Sequence, residues 1–271
     1  MSYALSSNMI IDFHTHIFPD KVAAAAIPKL AKAGGITAHT NGTRQGLLDS
    51  MARAGVDKSV VCTIATRPGQ FESILNWAAT FADERLIPFP SVHPAAPDCL
   101  RQIDRIKQAG FKGIKMHPYY QEFYLDEARL LPVYERISAH GLILLLHTGF
   151  DLAFPRIRRA DPARIVQVAE RFPELKLVAS HLGAWRLWDE VRDILCGREI
   201  YMDISFALDF LTPAQARNII IRHPADFLLF GSDSPWTDQR ATLDLLSRLG
   251  LDSELQDRIL GGNARRLLND G

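Results

Sequence analysis

The chain has 271 residues, of which 47% are hydrophobic and 23% charged, proportions that exclude a disordered, collagen-like or coiled-coil chain. Its 31 Lys and Arg balance its 31 Asp and Glu, so no basic excess marks a surface for nucleic acid or an anionic membrane. A small-molecule substrate is the expected partner, with no nucleic acid and no membrane.

The opening MSYALSSNMIIDFHTH has no basic n-region and no apolar run of signal-peptide length. No stretch of the chain approaches the roughly 18 consecutive apolar residues of a membrane span. Cys62, Cys99 and Cys196 are scattered and form no Cys-x-x-Cys pair, which speaks against both a disulfide framework and a thiolate zinc site. These features predict a cytoplasmic protein in a reducing compartment.

From there, apolar runs of strand length alternate with segments of helical period: 9–13, 59–64, 86–92, 111–116, 142–146, 175–179, 200–204 and 227–230. Runs such as LILLL and FLLF are apolar without a break, as strands buried on both faces are. Asp161-Pro162 and Thr212-Pro213 read as helix starts, a cap followed by proline at the first helical position. Gly110 and Gly141 stand where glycine ends a helix, after segments 98–109 and 126–140. Most strand-to-strand intervals are about 25 to 35 residues, the length of a βα unit. The first connection is longer, includes AHTNGT, and predicts a loop or an extra helix. No internal repeat, low-complexity tract or linker divides the chain. The pattern predicts one α/β domain over 1–271, a single (β/α)8 TIM barrel.

Six histidines, His14, His16, His93, His117, His147 and His181, fall at or just past the ends of these strands, the face on which barrels build active sites. His14 and His16 are two apart on an extended strand and share one face, as metal-binding imidazoles do. His147 closes LILLL and reads as a site residue instead of a core histidine. His181 follows LKLVAS, as either a ligand or a catalytic acid–base. Asp233, in FLLFGSDSPW, is a carboxylate directly after a buried strand, costly unless it is paired, bound to metal or open to the site. Lys115, two residues before His117, would bind a substrate carboxylate, pair with a site acid, or be carboxylated to bridge two metals. His93 and His117 would line the pocket or orient a loop. His39, His140 and His223 read as surface residues, and Arg156, Arg158 and Arg159 as either a basic rim or a solvated loop.

Together these residues resemble the amidohydrolase superfamily, within it the amidohydrolase-related group that includes carboxymuconate-semialdehyde and resorcylate decarboxylases. The resemblance is carried by IDFHTHIFPD, GIKMHP, LLLHTG, SHLGA, YMDIS, FGSDSPW and the closing ILGGNARRLL, in the family's order over roughly residues 9 to 268. It implies that His14, His16, His147 and Asp233 bind one divalent metal, Zn2+ or alternatively Mn2+, with His181 beside it as a catalytic group and Lys115 and His117 at the substrate. The chain is shorter than the typical decarboxylases. The function expected is hydrolysis of an amide, lactone or related carboxylic ester of a small anionic substrate through a metal-activated water, with Asp233 carrying the proton. The alternative is non-oxidative decarboxylation of a small aromatic or unsaturated acid. A homodimer stays open.

Overall fold

Eight parallel strands alternate with helices along residues 9–269, the part of the chain that the computed structural model describes. They are β1 (Ile11–Thr15), β2 (Lys58–Cys62), β3 (Leu86–Phe89), β4 (Gly113–Met116), β5 (Ile143–Leu146), β6 (Lys176–Ala179), β7 (Tyr201–Asp203) and β8 (Leu228–Leu229). All eight apolar runs form strands. Continuous ladders join β1-β2-β3 and β4-β5-β6-β7-β8, and hydrogen bonds outside these ladders cross the two seams. At one seam Lys115 N donates to Pro90 O at 3.0 Å; at the other Phe13 N donates to Phe230 O at 2.8 Å and Asp233 N to His14 O at 2.7 Å. The strand order and both seams describe a (β/α)8 barrel with short strands.

Alternation along the strands separates two apolar layers. Phe13, Val60, Cys62, Phe89, Leu145, Val178 and Leu229 fill the barrel interior, while Val61, Ile114, Leu144, Leu146, Leu177 and Met202 face the surrounding helices. Fully burying one such Leu, Ile or Phe contributes about 1.5–3 kcal/mol. The helix Asn263–Leu268 adds Ala264, Leu267 and Leu268 to the interior layer. Lys112, just ahead of β4, donates to Leu268 O at 2.8 Å, so this helix covers the end at which the strands begin and leaves the other end to the site.

The expected caps are in place. Asp161 accepts from Arg164 N, and Thr212 forms a reciprocal capping box with Gln215. Gly110 and Gly141 sit just past the helices Cys99–Gln108 and Leu131–Ala139 at φ 83 and φ 62. The long first connection holds two helices, Asp20–Gly34 and Arg44–Ala54, with AHTNGT between them. No helix among the described residues is long and apolar enough to cross a membrane. All three cysteines are free.

Two expectations are corrected. β1 begins and ends two residues later than the apolar run, because parallel pairing with β2 carries it through His14 to Thr15. His223 is buried, not a surface residue: its Nε2 donates to Ile200 O at 2.8 Å, which ties the end of the helix Pro213–Arg222 to the residue entering β7.

Candidate metal centre

The β1 strand places His14 and His16 by breaking its own alternation. Phe13 belongs to the barrel interior and His14 and His16 line the cavity above it, so two consecutive side chains turn inward. The register between β1 and β2 shifts at this point, between Asp12 and Thr15, as a bulge requires. Asp12 is thereby left on the outer side, fully buried. It accepts His14 N at 3.1 Å, Ser232 N at 2.9 Å, Ser232 Oγ at 2.5 Å and Gln239 Nε2 at 2.7 Å. Burial pushes its carboxyl up to about 6 against these hydrogen bonds.

Asp233 and His181 stand on strained backbone, at φ 68 and φ 60, in the left-handed region that non-glycine residues seldom occupy. Each is pinned there through its amide, Asp233 N to His14 O at 2.7 Å and His181 N to Asp203 Oδ1 at 3.1 Å. A third close approach needs glycine. Gly149, at φ 84, bridges to Trp185, and a Cβ there would lie 2.0 Å from Trp185 N.

The cavity over the strand ends encloses about 450 Å³. On its floor, His16 Nε2 lies 3.1 Å and His14 Nε2 3.5 Å from Asp233 Oδ1, and the ligand atoms of the three residues all fall within 4.8 Å of one another. His16 Nδ1 donates to Cys62 O at 2.8 Å and His14 Nδ1 to Asp203 Oδ2 at 3.0 Å. In the neutral rings both Nε2 atoms are therefore bare lone pairs, turned towards a carboxylate. Burial, then the Lys115 charge, drives the His14 pKa well below its usual value. Burial raises Asp233, but His14 and His16 outweigh it and hold the carboxyl below its ordinary range. Two lone pairs and an ionised carboxylate converging in a buried site fit a divalent cation. Lys115 Nζ, also buried, meets His14 Nε2 at 3.0 Å, and burial lowers its pKa.

The sequence-predicted residues divide into two groups. His14, His16 and Asp233 come together, whereas His147 reaches them through His181, whose Nε2 is 3.0 Å from His147 Nδ1. His147 Nε2 donates to Phe150 O at 3.0 Å, and His147 belongs with His117 and Asp151 in a second group of potential ligands. There the rings of His117 and His147 stack at 4.1 Å with 14° between their planes, and Asp151 Oδ2 is 3.3 Å from His117 Nε2. Parallel rings aim their nitrogen lone pairs side by side instead of at one point, so this group suits hydrogen bonding better than a shared ion. His117 lines the cavity as expected. His93 does not; its Nδ1 accepts Ala95 N at 3.2 Å and orients the loop after β3.

Lys115 is the one Lys or Arg among the described residues lining the cavity. The arginine rim is not formed. Arg158 pairs with Glu190 and Asp161, Arg159 stacks over Tyr124, and Arg156 lies over the Phe150 ring. The walls are aromatic, with Trp77, Tyr120, Phe150, Trp185, Phe206 and Trp236 around the polar floor. Sequence reasoning passed over Asp203 and Asp151. Asp203 lies within YMDIS at the end of a buried strand, and the desolvation argument that singled out Asp233 applies to it equally. Asp151 carries no such signal, since its loop has no period.

The amidohydrolase family model matches residues 11–269. A search of curated proteins finds no match. Among solved structures, an uncharacterised TIM-barrel protein from Bordetella bronchiseptica is similar with a TM-score of 0.79 and 21% identity, over 96% of this chain and 98% of that one. A 2,6-dihydroxybenzoate decarboxylase from Rhizobium aligns with a TM-score of 0.71 and 15% identity, over 97% of this chain and 100% of that one. A dihydroxybenzoic acid decarboxylase from Polaromonas, solved with manganese and the inhibitor 2-nitroresorcinol, aligns with a TM-score of 0.71 and 14% identity, over 97% of each chain. Likenesses at these identities establish the barrel.

Proposed function

The chain belongs to the amidohydrolase family, and from that premise we propose that it is a metal-dependent hydrolase cleaving an amide, lactone or related carboxylic ester bond of a small molecule. The observation that carries this reading is Asp233, an ionised carboxylate on the cavity floor within 3.1 Å of His16 Nε2 and 3.5 Å of His14 Nε2. His14, His16 and Asp233 would hold the ion, and the family pattern adds His147. Zinc suits a set of imidazoles and one carboxylate, and the manganese-bound relative supports manganese as the alternative. A divalent ion bound there polarises a substrate oxygen and makes water a better nucleophile.

The rest falls to the chain's own residues. Asp233 is ionised at neutral pH and stands beside the ion's place, so it accepts a proton from water as oxygen adds to the carbonyl carbon. When the carbon–heteroatom bond breaks, that proton passes to the leaving nitrogen or oxygen. His181, whose Nδ1 donates to Ser205 O at 3.0 Å and whose Nε2 faces His147 Nδ1 at 3.0 Å, is placed as a second proton carrier in line with His147. His117 and Asp151 are placed to bind polar substituents of the substrate, and the aromatic walls to exclude water from its body.

A second reading rests on those walls. A flat aromatic or unsaturated acid fits a cavity lined by seven Phe, Tyr and Trp side chains, Phe18 among them, and relatives with this fold include dihydroxybenzoate decarboxylases. In that case the carbon–carbon bond to the carboxyl group breaks, carbon dioxide leaves, and the ring or vinyl carbon takes a proton that Asp233 or His181 relays from solvent. A panel of lactones, amides and aromatic carboxylates, assayed with zinc or manganese for both acid release and carbon dioxide, separates the two. Acid without carbon dioxide supports hydrolysis. Carbon dioxide from an aromatic acid, with every lactone and amide untouched, overturns it in favour of the lyase.

A further inference from the structure

The strand β7 sends Asp203 and Ser205 beneath the cavity floor, where neither lines the cavity and both are fully buried. Asp203 Oδ1 accepts three donors: His181 N at 3.1 Å, Ser205 N at 3.0 Å and Ser205 Oγ at 2.5 Å. Its Oδ2 faces His14 Nδ1 at 3.0 Å. A carboxylate with this many donors only accepts, so the proton on the His14 ring belongs at Nδ1. The same strand end settles His181. Its Nδ1 lies 3.0 Å from the Ser205 carbonyl, which has no proton to give. Ser205 Oγ has spent its own proton on Asp203 and offers lone pairs to both rings, to His14 Nδ1 at 3.0 Å and to His181 Nδ1 at 3.1 Å.

We infer that Asp203 and Ser205 are the positioning residues of this site: they hold a proton on Nδ1 of both His14 and His181, so that His14 presents a bare Nε2 to Asp233 and His181 turns its Nε2 to His147 Nδ1, 3.0 Å away. One buried carboxylate thereby couples the imidazole that would hold the ion to the imidazole that would carry the proton. The alternative tautomer of His14 would point an N–H at the cation position and abolish it as a ligand. Carboxylates that orient a metal-binding imidazole in this way typically contribute 10–100-fold in metal affinity. The inference rests on the metal reading of the floor, not on the choice between hydrolysis and decarboxylation.

The test has two readouts on the full chain. Long-range proton–nitrogen NMR of the metal-free protein reports which ring nitrogen of His14 and of His181 carries the proton. Competition with a chromophoric chelator reports zinc affinity. In the wild type both rings are expected as Nδ1–H. In Asp203→Asn the amide N–H replaces an acceptor, so His14 should switch to Nε2–H and zinc affinity should fall about 10–100-fold. Ser205→Ala, which keeps Asp203 and the carbonyl, should retain both tautomers and lose less affinity. Should Asp203→Asn fail to fold, the wild-type and Ser205→Ala tautomers still decide. His14 protonated at Nε2 in the wild type, or unchanged zinc affinity in folded Asp203→Asn, would overturn the inference. A wild type that binds no zinc or manganese, yet shows both Nδ1–H tautomers, would instead refute the metal reading and leave the tautomer assignment standing.

Discussion

The two sides of the barrel mouth are held to different tolerances. On the β7–β8–β1 side, Asp203 is met by four hydrogen-bond contacts and Asp12 by another four, and together they clamp His14 through its ring and its amide. On the β4–β5 side, Asp151 is half-buried and approaches His117 and His147 at 3.3 and 3.8 Å. Buried atoms without a protein partner occur on both sides, but those of this side, His117 Nδ1 and Trp185 Nε1, belong to residues that line the cavity, whereas Ser234 and Gln239 on the first side do not. Charge-assisted hydrogen bonds contribute about 1.5–3 kcal/mol each, so the first side resists displacement far more than the second. A metal centre needs donors fixed to a fraction of an ångström, whereas a substrate pocket needs polar atoms still free to pair. The rigid side is suited to an ion and the open side to a ligand.

The largest effect comes from emptying the rigid side. His14→Ala combined with His16→Ala should reduce bound metal from about one equivalent to background and remove activity with it, read by elemental analysis and turnover on the same preparation. Equal metal in both proteins would dissolve the distinction between the two sides. Asp233→Asn sharpens it: one coordinating oxygen and the shape remain, so metal should largely stay while turnover falls about 10²-fold, the scale of lost general acid–base catalysis. On the open side, His117→Gln and Asp151→Asn should leave metal content unchanged and raise KM about tenfold, roughly the loss of one hydrogen bond to a charged group. Loss of metal in either would move the centre to β4–β5.

The smallest effect lies away from both. Burial lowers the His223 pKa to about 4, although its bond to the Ile200 carbonyl raises it. The unfolded ring titrates near 6.5, so folding favours neutral His223; its contribution is complete above about 6.5 and is lost as pH falls towards 4. Between pH 7 and pH 5 the urea midpoint of His223→Asn should therefore fall less than that of the wild type. Parallel declines would show that other groups set acid stability.

Much of this was legible in the residues. Short apolar runs alternating with segments of helical period read as buried parallel strands, and a strand was found at each of the eight runs. His-x-His on one strand face placed His14 and His16 together, and the cost of a carboxylate after FLLFGS placed Asp233 beside them. What could not be read depends on long-range pairing. The bulge that turns both Phe13 and His14 inward arises from the register with β2, some 45 residues away. His223 is buried by its contact with Ile200, and Arg158 and Arg159 of FPRIRRADPAR are occupied by Glu190 and Tyr124. No local pattern announces such partners. Asp203 is different, since its strand-end position was visible and the argument applied to Asp233 would have singled it out.

The division of the mouth is tested most directly by anomalous diffraction at the manganese edge from crystals soaked in Mn2+. The account predicts one peak bounded by His14, His16 and Asp233. A peak between His117, His147 and Asp151, with none at the floor, would contradict it.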